Sequence, residues 1–246
     1  MVDGMNLKEV PLHHICEGCV KGKHQRTSFP KDGATRASQL LEIVHTDVCG
    51  PMKTTSHGGA RYFLTFIDDF SRKTHVYLLK AKGETFEKFK QYKALVENEI
   101  GHKIKVLRSD NGGDFVSKKF DAFLAECGIQ RQTSAPYSPQ QNGVAERANK
   151  TIMECARSMI LAQGLELEFW GEAVNTAVYI KNRCPTKALN SKTPQEAWSG
   201  RKPDVSHLRV FGCKSFAHVP DEKRTKLESK SMPCVFLGYY EGTKAY

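Results

Sequence analysis

An α/β domain built on a mixed sheet is predicted for this 246-residue chain. Three observations predict it. Segments with strand patterning alternate with segments at helical period from residue 40 to about residue 165. The first strands are close enough for an antiparallel hairpin, whereas the later ones are separated by helices, as parallel neighbours require. The 39% hydrophobic content is enough for one sizeable core.

The elements follow in order. Residues 1–35 are polar and loop-like around "HHICEGCVKGKHQ". "LLEIVHTDV" (40–48) and "RYFLTFIDD" (61–69) are apolar on both alternating faces, as central strands are, and "CGPMKTTSHGGA" between them is turn chemistry. "THVYLLK" (74–80) is a third strand, placed for a hairpin with the second. From Glu84 to Ile100, Phe86, Phe89, Leu95, Val96 and Ile100 mark a helix. "KIKVLRSD" (103–110) is a strand ending in Asp110. A short helix follows at 118–127, capped by Ser117 and stopped by Gly128, with Phe120, Phe123, Leu124 and Cys127 as its stripe. A strand near 129–132 leads into "SAPYSPQQNGVAERANK" (134–150), which begins as turn material and becomes helix. In that helix Val144, Ala148, Ile152, Cys155, Ala156 and Met159 are the expected apolar stripe. Glu146, Lys150 and Arg157 lie on the other side. "LEFWGEAVNTAVYIKNRCP" is a further helix, and "TPQEAW" opens another with Thr193 as cap and Pro194 at its first position. "LRVFGCKSFAHV" and "MPCVFLGYY" are expected strands of a small β element around the charged segment "PDEKRTKLESKS".

The formal net charge of +10 and pI near 9.2 fit solubility alone, but more often indicate an acidic partner, of which nucleic acid is the commonest. The longest apolar runs, such as "YFLTFI", are too short to span a bilayer, and the first residues lack the apolar stretch of a signal peptide, so an intracellular protein without membrane contact is expected. Six of the eight cysteines are scattered singly, as buried thiols are, and only Cys16 and Cys19 form a C-x-x-C pair.

Asp47 and Asp110 end strands, and Glu146 stands in the first turns of a helix. In α/β sheets, strand ends collect ligand and catalytic groups. Carboxylates converging there suit hard divalent cations, and two such cations can clamp the attacking and leaving oxygens of a phosphoryl displacement. Spacing by itself does not single these three out from Asp68, Asp69, Asp114 and Glu126. An ordinary solvated face with a Glu146–Lys150 pair equally fits the helix.

The interval between Asp110 and Glu146 holds 35 residues, 111 to 145. Together, "IVHTDVCGP", "FLTFIDDFSR", "LRSDNGGDF" and "SAPYSPQQNGVAERANKTI" resemble the integrase of copia-type long-terminal-repeat retrotransposons, within the D,D-35-E integrase and transposase superfamily. The resemblance covers roughly residues 13–246. It implies an RNase H-like five-stranded mixed sheet and makes Asp47, Asp110 and Glu146 the catalytic ligands of Mg2+ or Mn2+. It also implies a mobile active-site loop over Ser134 to Gly143, and DNA contacts from Asn142, Lys150 and Arg157. The partners implied are the element's DNA ends, target DNA and further copies of the chain, and the compartment implied is the nucleus. The family pattern has glutamate where Asp114 follows "DNGG", which bears on local packing or substrate positioning and not on reaction type.

The same resemblance divides the chain into a remnant of an HHCC zinc module (1–35), the catalytic core (36–165), a helical extension (166–205) and a truncated SH3-like β element (206–246). Cys16 and Cys19 are half of a zinc site. His13 and His14 stand too close to Cys16 to match the family's histidine pair, and a set made of His13, Cys16, Cys19 and His24 is strained by its short loops. An incomplete zinc site is expected. The expected activity is polynucleotidyl transfer by 3′-end processing and strand transfer. Two alternatives stay open at this point. One is a catalytically inactive or domesticated nucleic-acid-binding fragment. The other is an RNase H-type nuclease, which the loop and helix around "YSPQQNGVAER" do not favour.

Overall fold

The computed structural model describes residues 36–110, 112–113, 115–133 and 142–239. The chain divides into Met1–Thr35 and Arg36–Tyr246. Residues 1–35, with Cys16 and Cys19, lie outside the described residues, as do Asp114 and loop residues 134–141.

Five strands form the central sheet: β1 (Ile43–Cys49), β2 (Tyr62–Asp68), β3 (Thr74–Leu79), β4 (Val106–Ser109) and β5 (Gln130–Thr133), in the order β3-β2-β1-β4-β5. β1 pairs antiparallel with β2, and β2 with β3, whereas β1–β4 and β4–β5 are parallel. The sheet is therefore mixed, as expected. Its parallel half is made by crossovers through α1 (Thr85–Ile100) and α2 (Lys118–Glu126). The local signals act as anticipated at two helix starts. The Ser117 hydroxyl accepts from Phe120 N at 3.2 Å, and Thr193 accepts from Glu196 N at 3.0 Å at the start of α5 (Pro194–Ser199).

The sheet separates two cores. On one face Val44, Leu64, Phe66 and Leu107 pack against Phe89, Tyr92 and Val96 of α1 and Phe120 and Leu124 of α2. Tyr92 stacks on Phe66 with ring centroids 4.4 Å apart. Two details differ from the sequence-based expectation. Leu95 is 53% exposed and Tyr92 is fully buried. The buried set Thr85, Phe89, Tyr92 and Val96 steps by four, three and four residues, which keeps one face of the helix, whereas Leu95, six on from Phe89, falls off it.

The other face carries α3 (Gly143–Gln163) and α4 (Trp170–Arg183). Ile152, Ala156 and Ile160 of α3 meet Phe63 of β2 and Ala173, Val174 and Ala177 of α4. Ala145 and Ala148 sit on Ile67. The stripe of α3 thus includes Ala145, Asn149 and Ile160 as buried positions, while Cys155 is exposed. Gly171 lets α4 approach the sheet, because a Cβ there would stand 2.9 Å from a Leu78 methyl.

The C-terminal element is a two-stranded antiparallel sheet of β6 (Lys214–His218) and β7 (Ser231–Val235). "LRVFG" does not extend β6. Phe211 is instead buried with the α3–α4 core, and Gly212, at φ +81°, turns the chain away from it. Tyr239 stacks on Tyr179 of α4 at 4.3 Å, and His207 Nε2 hydrogen-bonds the Tyr179 hydroxyl at 2.7 Å, which anchors this element to α4.

Candidate active site

Parallel pairing sets the register that matters. His45 stands opposite Arg108, so two residues further along both strands Asp110 comes level with Asp47. Asp47 stands two residues before the end of β1 and Asp110 directly follows β4, both towards the C-terminal edge of the sheet that collects ligands in α/β folds. On the other side of β1, Asp47 pairs with Thr65 of β2. Residues of β1 alternate faces, so His45 and Asp47 point to the α3 side.

α3 brings the third carboxylate. Its N-cap residue Asn142 donates from Nδ2 to the Thr46 carbonyl at 3.1 Å, which ties the helix start to β1. Two turns later Asn149 donates from Nδ2 to Asp47 Oδ2 at 2.9 Å. Glu146 is three residues before Asn149, on the neighbouring flank of the helix. It is exposed and makes no hydrogen bond or ion pair among the described residues.

Burial raises the Asp47 carboxyl to about 6, and the negative charges of Asp110 and, more weakly, Glu146 push it the same way, while the Asn149 amide opposes them. Asp47 therefore senses the charges of the other two carboxylates. Asp110 is half-buried, and its Oδ1 accepts from the Gly112 N–H at 3.1 Å. A Cβ at Gly112 would lie 3.0 Å from that oxygen, so a side chain here would press on the Asp110 carboxylate. The donor set, three anionic oxygen groups under mutual repulsion, fits a hard divalent cation. Among the described residues, no three acidic, histidine or cysteine groups already stand at ligating spacing.

The other sequence-derived candidates are placed as follows. Lys150 and Arg157 are exposed on α3, and Lys150 Nζ lies 4.0 Å from Glu154, not beside Glu146. Asn142, expected at the DNA, is 1% exposed, and its amide is turned inward onto Thr46. Its side chain makes no cap bond to α3 and is committed through Nδ2 to β1, so it sits between helix and strand. Asp68 and Asp69, the rival acids of "FIDD", are buried in bonds of their own. Asp68 accepts from Leu41 N, Ser71 N and Ser71 Oγ at 2.6 to 2.8 Å. Asp69 accepts from Ala37 N and His45 Nε2 and pairs with Arg72.

Sequence reasoning missed Asn149, Thr65 and Gly112. Asn149 carries a signal that could have been used: it is an asparagine inside a ladder of alanines and isoleucines, where an unpaired amide would be costly. Nothing in the sequence marks Thr65, which looks like any strand threonine.

A mixed five-stranded sheet between two helical layers, with carboxylates at the ends of β1 and β4 and on α3, has the architecture of an integrase catalytic core. The chain carries an integrase core domain and is homologous to retrovirus-related Pol polyproteins of plant transposons. Residues 37–139 match the family "Integrase core domain", and residues 213–246 match "Retroviral polymerase SH3-like domain". The Pol polyprotein from transposon TNT 1-94 of Nicotiana tabacum is 50% identical over 224 residues, 91% of this chain. Those from RE2 and RE1 of Arabidopsis thaliana are each 34% identical over 238 residues, 96% of this chain. The chain spans 17% of the first of these and 16% of the other two, about a sixth of their length. Among solved structures, the simian T-cell lymphotropic virus intasome in complex with a PP2A regulatory subunit matches with a TM-score of 0.61 at 18% identity, over 90% of this chain and 77% of that one. The HTLV-2 integrase catalytic core domain in complex with magnesium matches with a TM-score of 0.51 at 22% identity, over 66% of this chain and 99% of that one. These two likenesses show the shared fold. Among the described residues, no helix is long and apolar enough to cross a membrane.

Proposed function

We propose that this chain is the catalytic part of an integrase-type polynucleotidyl transferase, acting by 3′-end processing and strand transfer of retrotransposon DNA into target DNA. The observation that carries the proposal is the register of β1 and β4. It sets Asp110 level with Asp47, and α3, bonded to Asp47 through Asn149, is the helix that carries Glu146. Asp47, Asp110 and Glu146 would hold Mg2+ or Mn2+. When bound, such cations activate the attacking oxygen and stabilise the leaving one.

The protein's own contribution is geometric. Asp47 and Asp110 are fixed on adjacent strands, and Gly112 N–H orients the Asp110 carboxylate. Rigid strand ends hold ligands more closely than loops do. No side chain is needed as a covalent nucleophile, because water or a DNA 3′ hydroxyl is the attacking group. Lys150 and Arg157, exposed on α3, would bind phosphates, and the net charge of +10 would draw DNA to the surface. The magnesium complex of the HTLV-2 core, its trimeric and dimeric forms and the viral intasome support the metal and a homo-oligomer acting on DNA. Action on chromosomal DNA places the protein in the nucleus. The division into residues 1–35, 36–165, 166–205 and 206–246 belongs to the same proposal, with a zinc half-site at Cys16 and Cys19. The test is strand transfer of labelled element ends with Mg2+ or Mn2+. Joined product that disappears on Asp110→Asn is expected, and product formation unchanged by that substitution overturns the proposal.

A further inference from the structure

We propose that Arg108, held by Gln132, grips a phosphate of the DNA strand beside the phosphate that the carboxylates would act on. The inference rests on the integrase reading above and adds a substrate contact to it. Side chains of a strand alternate, so Arg108 shares a face with Asp110, two residues on and about 6.6 Å away at strand rise. The register pairs Arg108 with His45 of β1 on one side and with Gln132 of β5 on the other. All three therefore lie on the α3 side of the sheet, as Asp47 does. α3 packs over β1 and β2, through Asn142 on Thr46 and through Ala145 and Ala148 on Ile67. Arg108 and Gln132, on the strands beyond, are half-buried.

The partner sets Arg108 apart. Its Nε and Nη2 donate to Gln132 Oε1 at 3.2 and 2.8 Å, and among the described residues its side chain bonds nothing else. Two other half-buried arginines of the sheet and its turns, Arg72 and Arg131, pair with Asp69 and Asp121. Arg108 has an amide where those have an acid, so its charge is not cancelled. Burial lowers the pKa of the His45 imidazole, and the positive charge of Arg108 adds to the lowering. A guanidinium carries five N–H donors in a planar fork. Two are taken by Gln132. Of the three left, one on each Nη form a parallel pair at the end of the fork, which fits two oxygens of a phosphate. Gln132 also draws the group towards β5, away from Asp110, whose charge it would otherwise cancel. A neutral partner thus aims the fork and leaves its charge for an anion.

The test is fluorescence anisotropy of a labelled element-end duplex over a KCl series without divalent cation, alongside strand transfer with Mn2+. Arg108→Gln should weaken binding at low salt by about 10- to 100-fold. It should also flatten the plot of log affinity against log salt by about one unit. Arg108→Lys keeps the charge and loses the fork, so it should keep the slope while strand transfer falls. Gln132→Glu gives Arg108 the kind of partner that Arg72 and Arg131 have. It should flatten the slope as Arg108→Gln does, with an unfolding midpoint at or above that of the wild type. This variant keeps the test valid if Arg108→Gln does not fold. An unchanged slope in Arg108→Gln, or a loss that follows base identity and not salt, overturns the inference. A wild type that joins DNA and is matched by Arg108→Gln in binding and joining sinks the phosphate contact alone. A wild type that never joins DNA sinks the integrase reading and this inference with it.

Discussion

Asp47 and Asp69 occupy the two ends of one strand pair and have opposite fates. Asp69 N bonds the Ile43 carbonyl, so Asp69 is level with the start of β1, four residues before Asp47 and about 13 Å away at strand rise. Burial acts against both as anions. At Asp69, the His45 and Ala37 N–H donors and the Arg72 guanidinium overcome it and bring the carboxyl down to about 2. At Asp47 the Asn149 amide and the Val48 N–H do not overcome it, two further carboxylates add to it, and the group rises to about 6. The first arrangement stabilises the fold at the β2–β3 turn. The second stores unrelieved negative charge at the strand ends, which a cation would relieve. Two aspartates in one sheet are thus shifted in opposite directions by their donors and charged neighbours, not by burial alone.

The comparison breaks first at Asp110. Asp110→Asn keeps size and the Gly112 contact but removes one of the charges that raise Asp47. If the strand-end carboxylates are metal ligands, metal-dependent strand transfer should fall by more than about a hundredfold, beyond what loss of an outer partner does. Circular dichroism and the unfolding midpoint should stay close to wild type. Activity within a few fold of wild type at saturating Mn2+ would make the cluster an ordinary polar edge.

Asp69 sharpens the contrast in the other direction. Its carboxyl lies below the unfolded value, so its stabilisation is complete above about pH 4 and is lost as pH falls through about 2. The drop from 3.8 to about 2 corresponds to about 2 kcal/mol. Asp69→Asn should therefore lower the unfolding free energy by about that much near pH 7. Urea titrations at descending pH should show the two proteins converging between about pH 4 and pH 2. Metal affinity should not change. A variant as stable as wild type at pH 7 would show that His45 and Arg72 do not act as described.

How far the site was legible in the sequence follows from the same pair of residues. The mixed sheet and the helix caps at Ser117 and Thr193 follow from local patterning, and they appear as expected. The four motif segments singled out the three carboxylates, and the register of β1 and β4 gives a physical reason for Asp47 with Asp110. Asp47 and Asp69 look alike in sequence, however, because what distinguishes them arrives from residues far away: Asn149 is 102 positions from Asp47, and Ala37 is 32 from Asp69. Burial of Tyr92 in place of Leu95 was open to a closer count of helical steps. The inward turn of Asn142 was not, because it depends on where α3 lands on β1.

Gly112 offers a smaller and more local change. Gly112→Ala puts a methyl about 3 Å from Asp110 Oδ1 and must displace either the carboxylate or the turn that donates to it. Strand transfer should fall about tenfold, the low end for disturbing the support of a metal ligand. Raising Mn2+ should restore part of it, since a misplaced ligand weakens binding without removing it. The midpoint of thermal unfolding should hardly move, because Gly112 is at the half-buried edge of the core. Loss of stability in step with activity would place the effect in the fold instead of the site.

The smallest effect is expected on the exposed flank of α3, where charge acts on DNA and not on the carboxylates. Lys150 has a side chain 76% exposed, and its nearest acid, Glu154, is 4.0 Å away and 57% exposed. An exposed i,i+4 pair of this kind contributes at most about 0.5 kcal/mol. Lys150→Ala should therefore leave the unfolding midpoint almost unchanged. If Lys150 binds a phosphate of the element's DNA end, the same substitution should flatten the plot of log affinity against log salt by about one unit. Arg157, seven residues further on and nearly on the same line of the helix, should give the same change if the duplex runs along α3. The pair of variants reads direction as well as contact. A slope changed by Lys150→Ala alone confines DNA to the carboxylate end of the helix, a slope changed by both lays it along the axis, and no change in either makes this face ordinary solvated surface.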